Sequence, residues 1–160
     1  MKFRPLFNPT QMQFQLTIGD WEPSKGIQKI SGFTRGLKFH KVDYFPYWHI
    51  SNSIVLGYNR DSKTSPIRLF MYAYVKGKQV SKIIGEYMPN TKFKSELRWT
   101  NKRGLRIELE HENLSFAGGA YLPIYHKTLP IGFQLFPYYE IDGTNKKKPF
   151  EVEITDIKIS

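Results

Sequence analysis

The chain has 160 residues, and its 24 lysines and arginines against 14 aspartates and glutamates give a formal net charge of +10. It contains no cysteine, which excludes disulfides, thiolate metal sites and a cysteine nucleophile. No apolar run approaches the ~20 residues that span a bilayer, and the basic start MKFRPLFNPTQMQ lacks the apolar stretch of a secretion signal. The expectation is one domain over residues 1–160, with no membrane partner and a cytoplasmic start. The positive balance favours acidic partners without choosing among nucleic acid, anionic glycans and acidic protein surfaces.

Aromatic residues make up 16% of the chain, beside 12 glycines and 10 prolines, a composition of β structure with many turns. Residues 11–18, QMQFQLTI, alternate Met12, Phe14, Leu16 and Ile18 with Gln11, Gln13, Gln15 and Thr17, the pattern of a half-buried strand with a polar outer face. A loop over Gly19–Gly26 leads to a short strand predicted from Ile27 to Phe33. After the aromatic run DYFPYWH, a strand is predicted near 50–58, and the turn-forming run NRDSKTSP returns the chain into PIRLFMYAYV. There Ile67, Leu69, Met71, Ala73 and Val75 form one aliphatic face, while Arg68, Phe70, Tyr72 and Tyr74 form the other.

A tight turn at Lys76-Gly77-Lys78 precedes a strand over 79–87. A hairpin follows, with Phe93, Leu97 and Trp99 inward on 92–99, a TNKRG turn in which Gly104 supplies a positive φ, and Leu105, Ile107, Leu109 and His111 inward on the return. The outward charges of the two strands are expected to pair across the hairpin, each pair contributing about 0.2–1 kcal/mol. Residues 113–130 read as a long loop or short edge strands. Strand character resumes over 130–140, and the last strand alternates through Phe150, Val152 and Ile154 before slipping phase to Ile157 and Ile159, which predicts a bulge near Thr155–Asp156. About ten short strands with frequent turns and no long helical period predict an all-β, single-domain antiparallel sandwich of the jelly-roll or concanavalin type.

With these strands placed, the ordered set ISGFTRGLKFHK, NSIVLGYN, LFMYAYVKGK, FQLFPYYEIDG and EVEITDIKI resembles a group of small proteins of Bacteroides-type gut bacteria and their tailed phages. Phe39-His40 stands where that group often has two histidines, and Tyr139-Glu140-Ile141 where it often has Phe-Gly-Gly. The resemblance implies a concanavalin-like sandwich and a phage context, hence a virion or cytoplasmic location and partners among other virion or self-assembling subunits. It carries no catalytic residues over.

The chemistry read from the residues centres on the aromatic face. Arg68, Phe70, Tyr72 and Tyr74, joined by Tyr47, Trp48 and Tyr138, have the makings of a sugar platform, because aromatic faces stack on pyranose rings while hydroxyls and a guanidinium bond their hydroxyls. The competing reading is a second layer of core. Glu108, Glu110 and Glu112 lie ~6.6–7 Å apart along one strand face, within the range used in glycoside hydrolysis, but a solvated charged face explains them as well. His40, His49, His111 and His126 show no metal-ligand spacing, and His111 reads as a hydrogen-bonded core histidine. Asp142-Gly143-Thr144-Asn145 reads as a plain turn before it reads as a calcium loop. The basic residues Lys76, Lys78, Lys82, Lys92, Lys94, Lys102, Arg103 and Lys146–Lys148 are dispersed, so nucleic acid is not favoured. No catalytic residue, metal or cofactor is expected. The main expectation is a non-catalytic virion or self-assembling component, with a carbohydrate-binding module as its alternative.

Overall fold

The computed structural model describes residues 2–7, 10–35, 52–100, 103–113, 115–123, 131–136 and 153–159. These form eleven strands: β1 Lys2–Phe7, β2 Gln11–Thr17, β3 Ser24–Thr34, β4 Ser53–Arg60, β5 Ile67–Val75 and β6 Lys78–Tyr87. They continue with β7 Lys92–Thr100, β8 Gly104–His111, β9 Phe116–Leu122, β10 Ile131–Phe136 and β11 Glu153–Ile159. All pairings are antiparallel and build two sheets, β1-β10-β3-β4-β5-β6 and β11-β2-β7-β8-β9. The protein is an antiparallel β-sandwich, as the alternation predicts.

Among the described residues the core lies between the sheets and is filled by the inward sets of β2, β3, β4, β5, β7 and β8. Met12, Phe14, Leu16, Phe93, Leu97, Trp99, Leu105, Ile107 and Leu109 come from the five-stranded sheet. Ile30, Phe33, Ile54, Leu56, Tyr58, Ile67, Leu69, Met71 and Ala73 come from the six-stranded sheet. Each leucine, isoleucine, methionine or phenylalanine among them, removed from water, contributes about 1.5–3 kcal/mol. Turn chemistry fixes the hairpins. Lys76 and Gly77 both take positive φ, 53° and 78°, between the paired ends Val75 and Lys78, while Gly104 at 86° closes the β7–β8 turn.

Several boundaries differ from the sequence reading, for local reasons. β1 was not predicted, because Pro5 interrupts a short run; as an edge strand it tolerates a residue without an N–H. β3 starts at Ser24 rather than Ile27, and register shifts between Ser24 and Gln28 and between Lys29 and Ser31 erase the two-residue period there. β9 is a full edge strand inside the stretch read as loop or short edge strands. The register shift between Thr155 and Lys158 falls where the phase slip placed a bulge.

The inward face of β4 ends on a charge. Arg60 is 2% exposed, and its guanidinium donates to Asp20 Oδ1 at 2.6 Å, Trp21 O at 2.9 Å, Lys63 O at 2.6 Å and Ser65 O at 2.8 Å. One buried fork thereby ties the β2–β3 loop to the β4–β5 loop. The Arg60 bond holds the Asp20 carboxyl below its usual range, and burial pushes the neighbouring Tyr58 hydroxyl well up.

Candidate functional site

The outer face of the six-stranded sheet is a grid set by register. Along β5, Arg68, Phe70, Tyr72 and Tyr74 project outward in succession. Their β4 neighbours are Asn59, Gly57, Val55 and Ser53, and their β6 neighbours are Glu86, Ile83, Ser81 and Gln79. A bulge between Leu69 and Phe70 keeps the outward set aligned past that point.

This face divides along β5. Toward β3 it is closed: Lys29, Thr34, Arg35, Ser53 and Val55 are all buried. Tyr72 belongs to this half at 9% exposure, with the Lys29 ammonium 4.8 Å above its ring. Burial lowers the pKa of Arg35. Toward β6 the face is open. Phe70 and Tyr74 are half-buried, and Gln79, Ser81, Ile83 and Glu86 are exposed, Ile83 at 53%. Tyr74 joins the halves, its ring edge-on to Tyr72 with centroids 5.7 Å apart and the two hydroxyls 3.3 Å apart. The second-core-layer reading therefore describes the Tyr72 half of this strand face, and the half toward β6 is open.

A polar network closes the open half. Arg68 Nε donates to Asn59 Oδ1 at 2.6 Å, while Nη1 and Nη2 donate to the two Asp61 carboxylate oxygens at 2.8 and 2.6 Å. This is the two-pronged arginine–carboxylate geometry, which orients the guanidinium as well as pairing its charge. Three of the five guanidinium N–H groups are used, leaving two to donate elsewhere among the described residues. The shared bonds lower the Asp61 carboxyl and raise Arg68. A pre-oriented donor–acceptor cluster thus stands beside the half-buried Phe70 and the exposed Ile83.

Trp48 and Tyr138 lie outside the described residues, as do Tyr47, His40, His49, His126, the Asp142–Asn145 turn, Lys102 and Lys146–Lys148. His111 is not a hydrogen-bonded core residue: it is half-buried beside Phe93, ring centroids 5.5 Å apart, and its side chain has no hydrogen-bond partner among the described residues. No cluster of metal-ligating side chains occurs among the described residues. Glu108, Glu110 and Glu112 lie along the outside of the five-stranded sheet, and two of them are engaged, Glu108 by Arg106 and Glu112 by Lys92 at 3.9 Å. Opposite charges meet across the strands at the end away from the turn, where Lys94 faces Glu110 and Lys92 reaches Glu112, whereas nearer the turn the register sets Glu96 opposite Glu108 and Arg98 opposite Arg106. Glu96 pairs instead with Arg98, and Glu108 with Arg106, along their own strands.

The sequence reading missed Asn59, Asp61, Glu86 and Ile83 as neighbours of Arg68 and Phe70. Their signal was the hairpin itself. Once NRDSKTSP is taken as the turn, Asn59 and Arg68 are its closing pair and Asp61 sits above them.

No protein-family profile and no curated protein matches the chain. Among solved structures, a galectin-1-L2 of Dario rerio is similar over 99% of this chain and 100% of its own, at 10% identity and a TM-score of 0.47. Congerin II with bound lactose and MES is similar over 99% and 100%, at 5% identity and a TM-score of 0.44.

Proposed function

We propose that the protein is a non-catalytic, lectin-like binder of glycans that uses the open half of the six-stranded sheet's outer face. The observation that carries this reading is the Arg68–Asp61–Asn59 network set beside Phe70 and Ile83. A neutral sugar presents hydroxyls that both donate and accept at its rim and a C–H face that stacks on rings. The network supplies oriented donors and acceptors at one end, Ser81 and Gln79 supply more along β6, and Phe70 supplies the ring. Glycan-array binding at physiological and high salt tests it. The expected result is salt-resistant binding to a neutral sugar that Arg68→Gln weakens about tenfold or more. Silence across the array, or binding only to anionic glycans that salt removes, would defeat the reading.

Assembly with like or other subunits is the second reading. One observation favours it: the exposed large apolar residues Ile83, Met88, Phe116 and Tyr121 lie on or beside the two neighbouring edge strands β6 and β9. A virion setting for such assembly rests on the sequence resemblance alone. A mass by light scattering that rises with concentration would support self-assembly; a constant monomer mass would remove it.

A further inference from the structure

We infer a second binding site, on the opposite sheet, for a sulfate or phosphate monoester carried on a sugar-sized body. It lies where the β7–β8 hairpin turns and is a cleft of about 690 Å³ lined by Arg98, Thr100, Arg103, Arg106, Glu108 and Tyr121. That volume is of the size that holds small ligands.

The charge register is what points to an anion. Arg98 and Arg106 are direct cross-strand partners, and Arg103 joins them from the turn. Like charges set opposite one another on a sheet oppose folding. The register is held by other forces, the inward alternation of Leu97 and Trp99 against Ile107 and Leu105 and the positive φ of Gly104. The arginines are then braced rather than neutralised across the hairpin. Glu96 takes Arg98 and is itself held by Gln13 Nε2 at 3.0 Å, and Glu108 takes Arg106. The hydrogen bond to Glu108 orients the Arg106 fork, while Glu96 pairs with Arg98 through charge. Arg103 has no side-chain partner among the described residues.

Thr100 completes the donor set. Its oxygen accepts the Arg103 backbone N–H at 2.9 Å, which leaves its O–H to donate. Arg98 and Arg106 are paired with Glu96 and Glu108, so the three arginines leave a surplus of one positive charge, carried by Arg103. Guanidinium forks match the oxygen spacing of sulfate and phosphate. Tyr121, directly opposite Arg106 and 46% exposed, offers a wall for the body that carries the ester. A long polyanion is the weaker fit, because Glu96 and Glu108 face each other next to the cleft, between it and Lys94 and Lys92.

Calorimetric titration of the whole chain with glucose 6-sulfate, glucose 6-phosphate and glucose tests the site. Either ester is expected to bind at least about tenfold more tightly than glucose, and Arg103→Gln to remove about tenfold of that affinity. The stronger ester identifies the source of the anion. Equal binding of glucose and its esters, or ester binding untouched by Arg103→Gln, would overturn the site. So would an oligothymidylate whose affinity grows with length and which displaces the esters, since a polyanion surface would then explain the arginines. A neutral glycan held on the six-stranded sheet is expected not to compete; competition would place both on one face and also overturn the assignment. The ester titration stands whether or not any neutral glycan binds.

Discussion

The two outer faces of the sandwich are built from the same strand geometry and opposite chemistry. On the five-stranded sheet, β2 turns Gln11, Gln13, Gln15 and Thr17 outward, and β7 and β8 add Lys92, Lys94, Glu96, Arg106, Glu108 and Glu110. That is a solvated face with one notch in it. On the six-stranded sheet, β4 and β5 turn outward Val55, Gly57, Phe70, Tyr72 and Tyr74, and half of that face is buried. A strand apolar on both faces has given up its water on both sides. What stays open at its margin is a ring surface bordered by polar groups, the composition of a ligand platform.

Mutations divide the faces by the size of their effect. The largest expected loss comes from Arg60→Met, which leaves the Trp21, Lys63 and Ser65 carbonyls at the end of β4 without their donor, while the exposed Asp20 carboxylate keeps its water. About 3 kcal/mol should disappear in urea unfolding, and Arg60→Lys should recover little, since one ammonium cannot serve a fork's partners. Tyr72→Ala, on the closed half, should cost about 3 kcal/mol as a buried aromatic truncation, with the half-buried Tyr74→Ala costing distinctly less. Equal small costs for both would mean that the face is not divided along β5.

Acid should act through the two aspartates held by arginines. Asp20 and Asp61 both have pKa values lowered below 3.8, first by their hydrogen bonds to Arg60 and Arg68. A depressed folded value contributes stability that is present above the unfolded pKa and lost as pH falls through the folded one. The doubly substituted Asp20→Asn, Asp61→Asn protein should therefore be less stable than the parent at pH 7, with the gap closing as the pH drops below about 4. A gap independent of pH would mean that the carboxylate charges contribute nothing. The smallest effect belongs to the solvated face: exposed Lys94→Gln should change stability by no more than about 0.5 kcal/mol.

How much of this was legible in the sequence follows the physics of each signal. Two-residue alternation is local, so β2, β5 and the β7–β8 hairpin could be read directly, and the phase slip from Ile154 to Ile157 betrayed the bulge in β11. Where the period breaks, the signal breaks with it. Pro5 hid β1, paired glycines hid β9, and two register shifts hid the start of β3. The site was half legible. Arg68, Phe70, Tyr72 and Tyr74 could be placed on one face from spacing alone, but which rings are covered depends on what packs over them. Asn59, Asp61 and Glu86 are joined to Arg68 only by cross-strand register. The arginine notch follows from the TNKRG turn, which sets Arg98 opposite Arg106, whereas the expectation of opposite charges holds only farther from the turn, at Lys94 and Glu110.

The central claim is that a neutral glycan sits on the open half of the six-stranded sheet. Backbone amide chemical shifts, followed while a neutral glycan selected from the array is titrated in, test it most directly. The account predicts perturbations confined to Asn59, Arg68, Phe70, Ser81 and Ile83, with the Gln11–Thr17 strand unmoved. Shifts centred on β7 and β8 instead, or spread evenly over both faces, would contradict it.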